Sequence, residues 1–175
     1  MDQHFKRQNL TYQNYTEVPA EIIQRTAKYV EELDLSYNRI SRDLRFLSEY
    51  TSLQSLVLDH NQLTPHLKMP EMPLLHTFWV NHNNIENLGV FIGTLAKRCP
   101  NLRYLSMMNN TAAPSYFNDG TYEQYTDYRH YVISKFPKLG TLDDKKIEAD
   151  ERSEAERIYK PVPRKKRKAK PPSSS

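Results

Sequence analysis

An eleven-residue pattern occurs four times in this chain and restricts its fold more than any other feature. In each copy, apolar residues occupy four positions of the template LxxLxLxxNxL and asparagine occupies the ninth, if the small Ala112 is accepted as apolar. The four copies span residues 30–40, 53–63, 75–85 and 102–112. A segment this short cannot bury its apolar side alone, so the copies are expected to stack as a solenoid.

The centre of each copy alternates apolar and other residues, which is the pattern of a short β-strand with one buried side. Equivalent core positions at Leu33, Leu56, Phe78 and Leu105 are 22 to 27 residues apart, a spacing typical of leucine-rich repeats. We therefore predict an α/β leucine-rich-repeat solenoid. It would have a short curved parallel sheet on its concave face, helices and irregular returns on its convex face, and a helical C-terminal cap.

The recurring asparagine is predicted to be structural. A tight turn after each strand leaves backbone N–H and C=O groups without partners, and a carboxamide can satisfy both kinds because it donates and accepts. Four stacked asparagines would then bridge one turn to the next as a ladder, namely Asn38, Asn61, Asn83 and Asn110.

The repeats divide the chain into four predicted parts. Stepping back 23 residues from Leu33 reaches Leu10, which suggests a starting repeat that lacks the asparagine. The parts are an N-terminal cap or degenerate repeat over residues 1–29, the leucine-rich repeats over residues 30–114, a tyrosine-rich insertion with the last strand and the C-terminal cap over residues 115–159, and a disordered basic tail over residues 160–175.

The segments that return from one strand to the next differ in their predicted structure. Leu88, Ile92 and Leu95 have helical spacing, so the third return is predicted to be a helix that ends before Pro100. Cys99 falls in the buried stripe of that helix and is predicted to be a core residue, not a nucleophile. The second return contains three prolines and is predicted to be extended.

The net charge of +4 comes from the end of the chain. Residues 160–175 contain seven lysines and arginines and no acid, which leaves 18 basic against 21 acidic residues and a net charge of −3 for the remainder. Direct DNA binding is therefore not expected. The tail can be a nuclear-import signal, a contact with anionic lipid or RNA, or a solvated segment. The import signal would consist of Arg164, Lys165, Lys166, Arg167 and Lys168.

Catalytic and cofactor-binding motifs are missing from the sequence. It has no phosphate-binding loop and no GxSxG, and its four glycines do not form a cradle, so we predict a protein that is not an enzyme and needs no cofactor. A single cysteine and the lack of an apolar run suited to a signal peptide or membrane span favour a reducing compartment. The expected location is cytoplasmic, with a nuclear location as the alternative, and the expected state is a monomer.

Strand residues that do not point into the core should form columns across the concave face. The central column would be Asp34, Val57, Trp79 and Ser106, and the two beside it Glu32, Ser55, Thr77 and Tyr104, and Ser36, Asp59, Asn81 and Met108. An aromatic residue surrounded by polar groups is typical of interface hot spots. The predicted partner-binding residues are Asp34, Val57, Asp59, Trp79, Tyr104 and Met108.

Two further interpretations concern charges and histidines near this face. Glu31 and Glu32, together with the aspartates, would favour a partner that offers lysine or arginine, although a solvated acidic rim explains them equally well. His60 and His82 share a column, but the sequence shows no residues that would orient their imidazoles, so it gives little support to a metal site there with Asp59.

The segment YRHYVISKFPKLGTLDDKKIEADERSEAERIY, which ends at Tyr159, resembles the C-terminal cap of intracellular leucine-rich-repeat proteins of the U2 small nuclear ribonucleoprotein A-prime and phosphatase-regulator type. The resemblance extends over residues 30–159. It implies that Tyr128, Arg129 and the residues up to Ile133 form a helix, and that Leu139, Leu142 and Asp143 form a closing strand. Cap residues would continue the structure at Ile147, Glu151, Arg152 and Ala155.

The resemblance also has implications for function. Within this group the chain is similar to small adaptors of melanocyte differentiation, which implies a noncatalytic role in melanosome trafficking and a concave-face partner such as a Rab GTPase. Organelle association would then come through that partner. The alternative is a nuclear ribonucleoprotein subunit that binds an RNA-binding-domain protein, and a third interpretation is a regulator of an enzyme such as a phosphatase.

Overall fold

Each apolar repeat forms one short strand, and the strands lie side by side in the order in which they occur along the chain. The computed structural model describes residues 6–160. Within them the sheet has seven strands, of which β1 to β6 are parallel and β7 is antiparallel to β6. The strands are β1 (Arg7–Asn9), β2 (Glu32–Asp34), β3 (Ser55–Val57), β4 (Thr77–Trp79), β5 (Tyr104–Ser106), β6 (Thr141–Leu142) and β7 (Lys145–Lys146).

In the described part of the chain, three α-helices lie between strands and a fourth follows the last strand. They are α1 (Ala20–Thr26), α2 (Leu88–Arg98), α3 (Tyr122–Lys135) and α4 (Ala149–Ile158), and short 3₁₀ turns cover Ala27–Tyr29, Arg45–Glu49 and Tyr116–Asn118. No helix among residues 6–160 has both the length and the apolar character that crossing a bilayer requires. The parallel sheet with helical returns confirms the predicted leucine-rich-repeat fold.

The third return is helical and the second is not, as the sequence predicted. Helix α2 is the third return, where Asn87 Oδ1 accepts a hydrogen bond from the N–H of Val90 at 3.0 Å and the helix ends at Cys99. Between β3 and β4 the chain forms no helix and pairs in parallel with the preceding return through a bridge between Asp43 and Lys68. The prolines of this second return are the reason, because they cannot donate to a helical ladder.

The core lies between the sheet and the returns. The equivalent apolar residues of β2 to β6 are in register across the sheet and nearly inaccessible to solvent, in the order Leu33, Leu56, Phe78, Leu105 and Leu142. Cys99 is fully buried, and its Sγ lies 3.9 Å from the Sδ of Met69. Burial raises the pKa of the Cys99 thiol to about 12, so the thiolate needed for nucleophilic chemistry does not form near neutral pH.

The first strand differs from the prediction by two residues. Gln8, and not Leu10, lies opposite Leu33 in the sheet, so β1 precedes β2 by 25 residues. Gln13 consequently occupies the position of the ladder asparagine in this first turn, and its N–H donates to Oδ1 of Asn38 at 3.2 Å. The predicted register was wrong because the polar residue Gln8 stands where the template requires leucine, and the template therefore aligned on the nearest apolar residue.

The asparagine ladder joins each turn to the one before it. Asn61 Nδ2 donates to the carbonyl of Leu35 in the preceding strand at 2.9 Å, and its Oδ1 accepts from the N–H of Ile40 at 3.0 Å. The other three asparagines make the corresponding pair of bonds with the preceding repeat. All four are at least 92% buried, so these bonds are made where water cannot replace them.

The C-terminal cap closes the solenoid through a buried ion pair. Arg129 on α3 is 1% exposed, and its Nε and Nη2 donate to the two carboxylate oxygens of Glu151 on α4 at 2.5 and 3.0 Å. Its Nη1 also donates to the carbonyl of Leu142 on β6 at 3.0 Å. Tyr128 donates from its hydroxyl to Asp143 Oδ2 at 2.9 Å, so neighbouring residues of α3 are tied to α4, to β6 and to the turn that follows β6.

Replacing Asn61 by leucine should lower the free energy of unfolding by about 1 to 3 kcal/mol. The leucine would leave the buried N–H of Ile40 without its partner and would remove one of the two amide donors to the carbonyl of Leu35, the other being Asn38. Asn84→Leu is the matched control, because Asn84 is exposed and adjacent to the ladder residue Asn83. Urea unfolding followed by circular dichroism measures both, and equal losses in the two variants would contradict a special role for the ladder.

Glu151→Gln should destabilise the protein by about 3 kcal/mol at pH 7, because it removes the carboxylate that pairs with the buried guanidinium of Arg129. Burial acts to raise the pKa of Glu151, but the hydrogen bonds and charge of Arg129 outweigh it and lower that pKa below its ordinary value of 4.5. The stabilisation is therefore complete above pH 4.5 and is lost as the pH falls through the folded-state pKa.

Glu154→Gln on the same helix is the control, since its ion pair with Arg157 is solvent-exposed and surface pairs contribute little. Unfolding curves for both variants from pH 3 to pH 7 test the expectation. A penalty for Glu151→Gln that stays constant over this range would show that the ion pair is not its cause.

Candidate partner-binding surface

The face of the sheet opposite the core, which we call the concave face, carries the residues predicted to bind a partner. Across the strands, Asp34 lies opposite Val57, Val57 opposite Trp79, and Trp79 opposite Ser106. Tyr104 is in register with Thr77 one position earlier. The structure thus places the predicted columns side by side, because parallel pairing without bulges keeps equivalent residues of successive repeats aligned.

Large apolar side chains on this face are open to solvent. Trp79 is 44% exposed, Tyr104 49% and Met108 37%, whereas Val57 is half-buried. A shallow cleft of about 430 Å³ adjoins Trp79 on the N-terminal side, and it is lined by residues of β1 to β4 that include Arg7 and Asn9. These two residues were not predicted as part of the surface, because residues 1–29 were interpreted only as an N-terminal cap or degenerate repeat.

Three members of the predicted columns are buried. Ser36, Asn81 and Ser106 are 4 to 8% exposed, contrary to the expectation that these columns face solvent. The hydroxyl of Ser106 donates to Asn81 Oδ1 at 2.7 Å, and the N–H of Met108 donates to the same oxygen at 2.8 Å. Asn81 and Ser106 are held on the sheet surface by hydrogen bonds between neighbouring repeats, and Ser36 by hydrogen bonds to Asp34 of its own repeat. Trp79 and Tyr104 project above these short side chains.

The two predicted aspartates take part in this polar layer. Asp34 Oδ1 accepts from the N–H and the hydroxyl of Ser36 at 2.9 and 2.6 Å. Asp59 Oδ1 accepts from the N–H of Asn81 at 2.8 Å, and its Oδ2 accepts from the amide Nδ2 at 3.2 Å. Both carboxylates are half-buried and hydrogen-bonded, so they order the sheet surface beneath the exposed aromatic residues.

The acidic end of the concave face is partly neutralised by β1. Lys6 Nζ lies 3.2 Å from Glu31 Oε1, and Arg7 Nε donates to Glu32 Oε2. These pairs join residues 25 apart, so they depend on the strand register and could not be read from local sequence. The N-terminal end of the face consequently offers less negative charge than the sequence suggested.

A row of stacked rings follows the strands at the turn positions. The ring centroids of Tyr12, Tyr37, His60 and His82 are 4.1 to 4.3 Å apart in succession, with interplanar angles of 9 to 12°. All four residues have positive φ between 52 and 58°. Asn109 Nδ2, at the end of the row, lies 3.0 Å from His82 Nε2. Stacking was not predicted, although the shared column was.

The histidine pair does not form a metal centre. Among residues 6–160, no group of three histidine, cysteine, aspartate or glutamate side chains is placed to hold a metal ion. His60 and His82 face each other through their rings and not through converging nitrogen atoms. The predicted nuclear-import run over residues 164–168 lies outside the described residues.

Comparisons with known proteins agree with this architecture. A family model described as leucine-rich repeat matches residues 3–171. The chain is 41% identical over 127 residues to the human (Homo sapiens) leucine-rich melanocyte differentiation-associated protein, covering 70% of this chain and 64% of that protein. It is 33% identical over 137 residues to U2 small nuclear ribonucleoprotein A' of Arabidopsis thaliana, covering 77% of this chain and 49% of that protein.

The chain therefore spans about half to two thirds of the length of these relatives. Among solved structures, the Drosophila melanogaster SNF/U2A' complex contains a chain that aligns with a TM-score of 0.66 and 23% identity, covering 89% of this chain and 82% of that one. At this identity the likeness shows a shared fold.

His82→Asn should raise the pKa of His60. Burial lowers the pKa of His60 below its ordinary value of 6.5 and the charge of His82 lowers it further, whereas Asp59 raises it. Removing His82 removes one of the two lowering effects. An NMR titration of the His60 imidazole protons measures the change, and His66→Asn, at an exposed site outside the row, should leave the titration unaltered.

Because the pKa of His60 is lower in the folded than in the unfolded state, the neutral stack stabilises the protein above pH 6.5, and this contribution is lost as the pH falls. A His60 pKa that is the same in wild type and His82→Asn would contradict the electrostatic link between the two rings.

Proposed function

The chain belongs to the leucine-rich-repeat family, and from that premise we propose that it is a noncatalytic adaptor that holds a protein partner on its concave face. The observation that carries this proposal is the exposed group of Trp79, Tyr104 and Met108 above an ordered polar layer. Large aromatic residues held rigidly in a concave surface lose little conformational entropy on binding, which is how interface hot spots gain affinity.

For the partner, we propose a small GTPase of the Rab class and a role in melanocyte differentiation and melanosome trafficking. The similarity to the human melanocyte differentiation-associated protein supports the cellular role, and the Rab partner is the interpretation that accompanies it. Under this proposal the protein is cytoplasmic and reaches an organelle membrane through its partner.

Trp79→Asp tests the proposed surface. The side chain is 44% exposed, so the substitution should leave the melting temperature nearly unchanged, while partner affinity should fall at least about 30-fold, as at a hot spot. Binding is measured by calorimetry against a panel of purified Rab GTPases, each loaded with GDP or with a nonhydrolysable GTP analogue.

Leu74→Asp provides the matched control, because Leu74 is 54% exposed and lies outside the concave columns. A Rab GTPase whose affinity falls for Trp79→Asp alone would support the proposal. A Rab GTPase that binds wild type and Trp79→Asp equally would place its binding site elsewhere, and a panel with no binder would overturn the Rab assignment.

A second candidate function is that of a nuclear ribonucleoprotein subunit that binds an RNA-binding-domain protein through the same face. The similarity to a plant U2 small nuclear ribonucleoprotein A' favours it, and the basic run over residues 164–168 would then direct nuclear import. Affinity purification from pigment cells with wild type and Trp79→Asp separates the candidates. Spliceosomal proteins that are lost from the Trp79→Asp sample would favour this second function.

A further inference from the structure

A second cleft lies at the C-terminal end of the concave face and belongs to the tyrosine-rich insertion. Its volume is about 340 Å³, at the small end of the range for ligand pockets. We call it the aromatic cleft. Its lining residues include Met108, Tyr116, Phe117, Tyr122, Tyr125 and Asp144.

The aromatic residues at the mouth of this cleft are the most exposed apolar side chains in residues 6–160. Tyr116 and Phe117 are each 91% exposed and Tyr122 is 83% exposed. The rings of Tyr116 and Phe117 are nearly perpendicular, at 81°, with centroids 6.2 Å apart. They form an edge-to-face pair, and both rings remain open to solvent.

The loop that carries these rings is held by its own hydrogen bonds. The N–H of Ser115 donates to Asn118 Oδ1 at 2.7 Å, Asn118 Nδ2 donates to the carbonyl of Ala113 at 3.0 Å, and the N–H of Gly120 donates to the carbonyl of Ser115 at 2.9 Å. A Cβ at position 120 would lie 2.8 Å from the backbone nitrogen of Ser115, so the loop closes too tightly for any residue but glycine. The exposed rings therefore stand on a preorganised support.

The cleft has negative charge and no positive charge of its own. Its lining contains Asp143 and Asp144 but neither lysine nor arginine. The carboxylate of Asp143 is already hydrogen-bonded within the protein, to the hydroxyl of Tyr128 and the N–H of Met107. Asp144 is exposed, and within residues 6–160 its carboxylate has no hydrogen bond or ion pair.

We propose that the aromatic cleft binds an arginine side chain presented by a partner protein. A guanidinium can stack on one aromatic face, approach a second ring, and pair with the carboxylate of Asp144 through two parallel N–H donors. Lysine fits this arrangement less well, because its compact ammonium is more strongly hydrated and cannot stack as a plane. The proposal stands independently of which protein occupies the concave face.

The test is an NMR titration of the whole ¹⁵N-labelled chain with the capped peptide Gly-Ser-Arg-Ser-Gly. Saturable shifts are expected at the amides of residues 113–121 and of Asp144. The corresponding lysine peptide should bind several-fold more weakly, and the citrulline peptide, which is neutral but nearly the same shape, about tenfold more weakly. Equal affinity for arginine and citrulline, or shifts confined to other regions, would overturn the proposal.

Variants distinguish binding in the aromatic cleft from nonspecific electrostatic attraction of the arginine peptide. Asp144→Asn and Phe117→Ser should each weaken the arginine peptide about tenfold without changing the melting temperature, because both side chains are exposed. Asp119→Asn is the control, since Asp119 lies on the same loop but does not line the aromatic cleft, and it should change the affinity less than twofold. Equal losses for Asp144→Asn and Asp119→Asn would contradict a specific site.

Trp79→Asp should leave binding of the arginine peptide unchanged, so the cleft and the concave-face proposal can fail separately. Loss of peptide binding in this variant would instead place the arginine on the concave face and overturn the assignment to the aromatic cleft.

Discussion

One buried carboxamide per repeat determines the geometry on which the concave face depends. Each ladder asparagine donates to a strand carbonyl of the preceding repeat and accepts from a backbone N–H of the preceding turn, as Asn83 does with Leu58 and Leu63. The residue before each ladder asparagine adopts positive φ, which is unfavourable for tyrosine and histidine. The hydrogen bonds of the ladder compensate for that strain. Because the same turn recurs in each repeat, the rings of Tyr37, His60 and His82 stack on one another.

The sequence predicted those parts of the molecule in which a local pattern decides the structure. The template residues of the four repeats become strand and core residues, and the spacing of Leu88, Ile92 and Leu95 becomes helix α2. The prediction failed at β1, where Gln8 occupies a leucine position, and at Asn81 and Ser106, whose burial depends on a hydrogen bond between side chains 25 residues apart. A short polar side chain on a strand can face solvent or form a hydrogen bond to a neighbouring strand, and the pairing register of the strands determines which of the two occurs.

The helix of the C-terminal cap was predicted by a different route, from the family resemblance. Of the residues assigned to the closing strand, only Leu142 lies in β6, whereas Leu139 precedes it and Asp143 lies in the turn that follows it. No periodicity identifies Arg129 as a buried residue, and its charge alone would place it at the surface. The resemblance to a family cap assigned Arg129 to a helix. The structure shows why Arg129 can be buried, because it forms a bidentate ion pair with Glu151 and donates a third hydrogen bond to the carbonyl of Leu142. Arg152 extends the same closure by donating to carbonyls at the end of α3, including that of Phe136 at 3.3 Å. The cap thereby fixes α3, and α3 in turn positions the loop that carries Tyr116 and Phe117.

The distribution of charge along the concave face bears on how a partner would lie on it. At the N-terminal end, Glu31 and Glu32 form ion pairs with Lys6 and Arg7, which reduces the attraction of that end for a basic partner. At the C-terminal end, Asp144 lies beside exposed aromatic rings and forms no ion pair among residues 6–160. Met108 borders both this cleft and the exposed group around Trp79, so the two proposed surfaces are continuous. A single partner that covered Trp79 with an apolar group would therefore gain most binding free energy by directing a cationic side chain toward Asp144. The difference in charge between the two ends of the face would favour one orientation of the partner over the reverse.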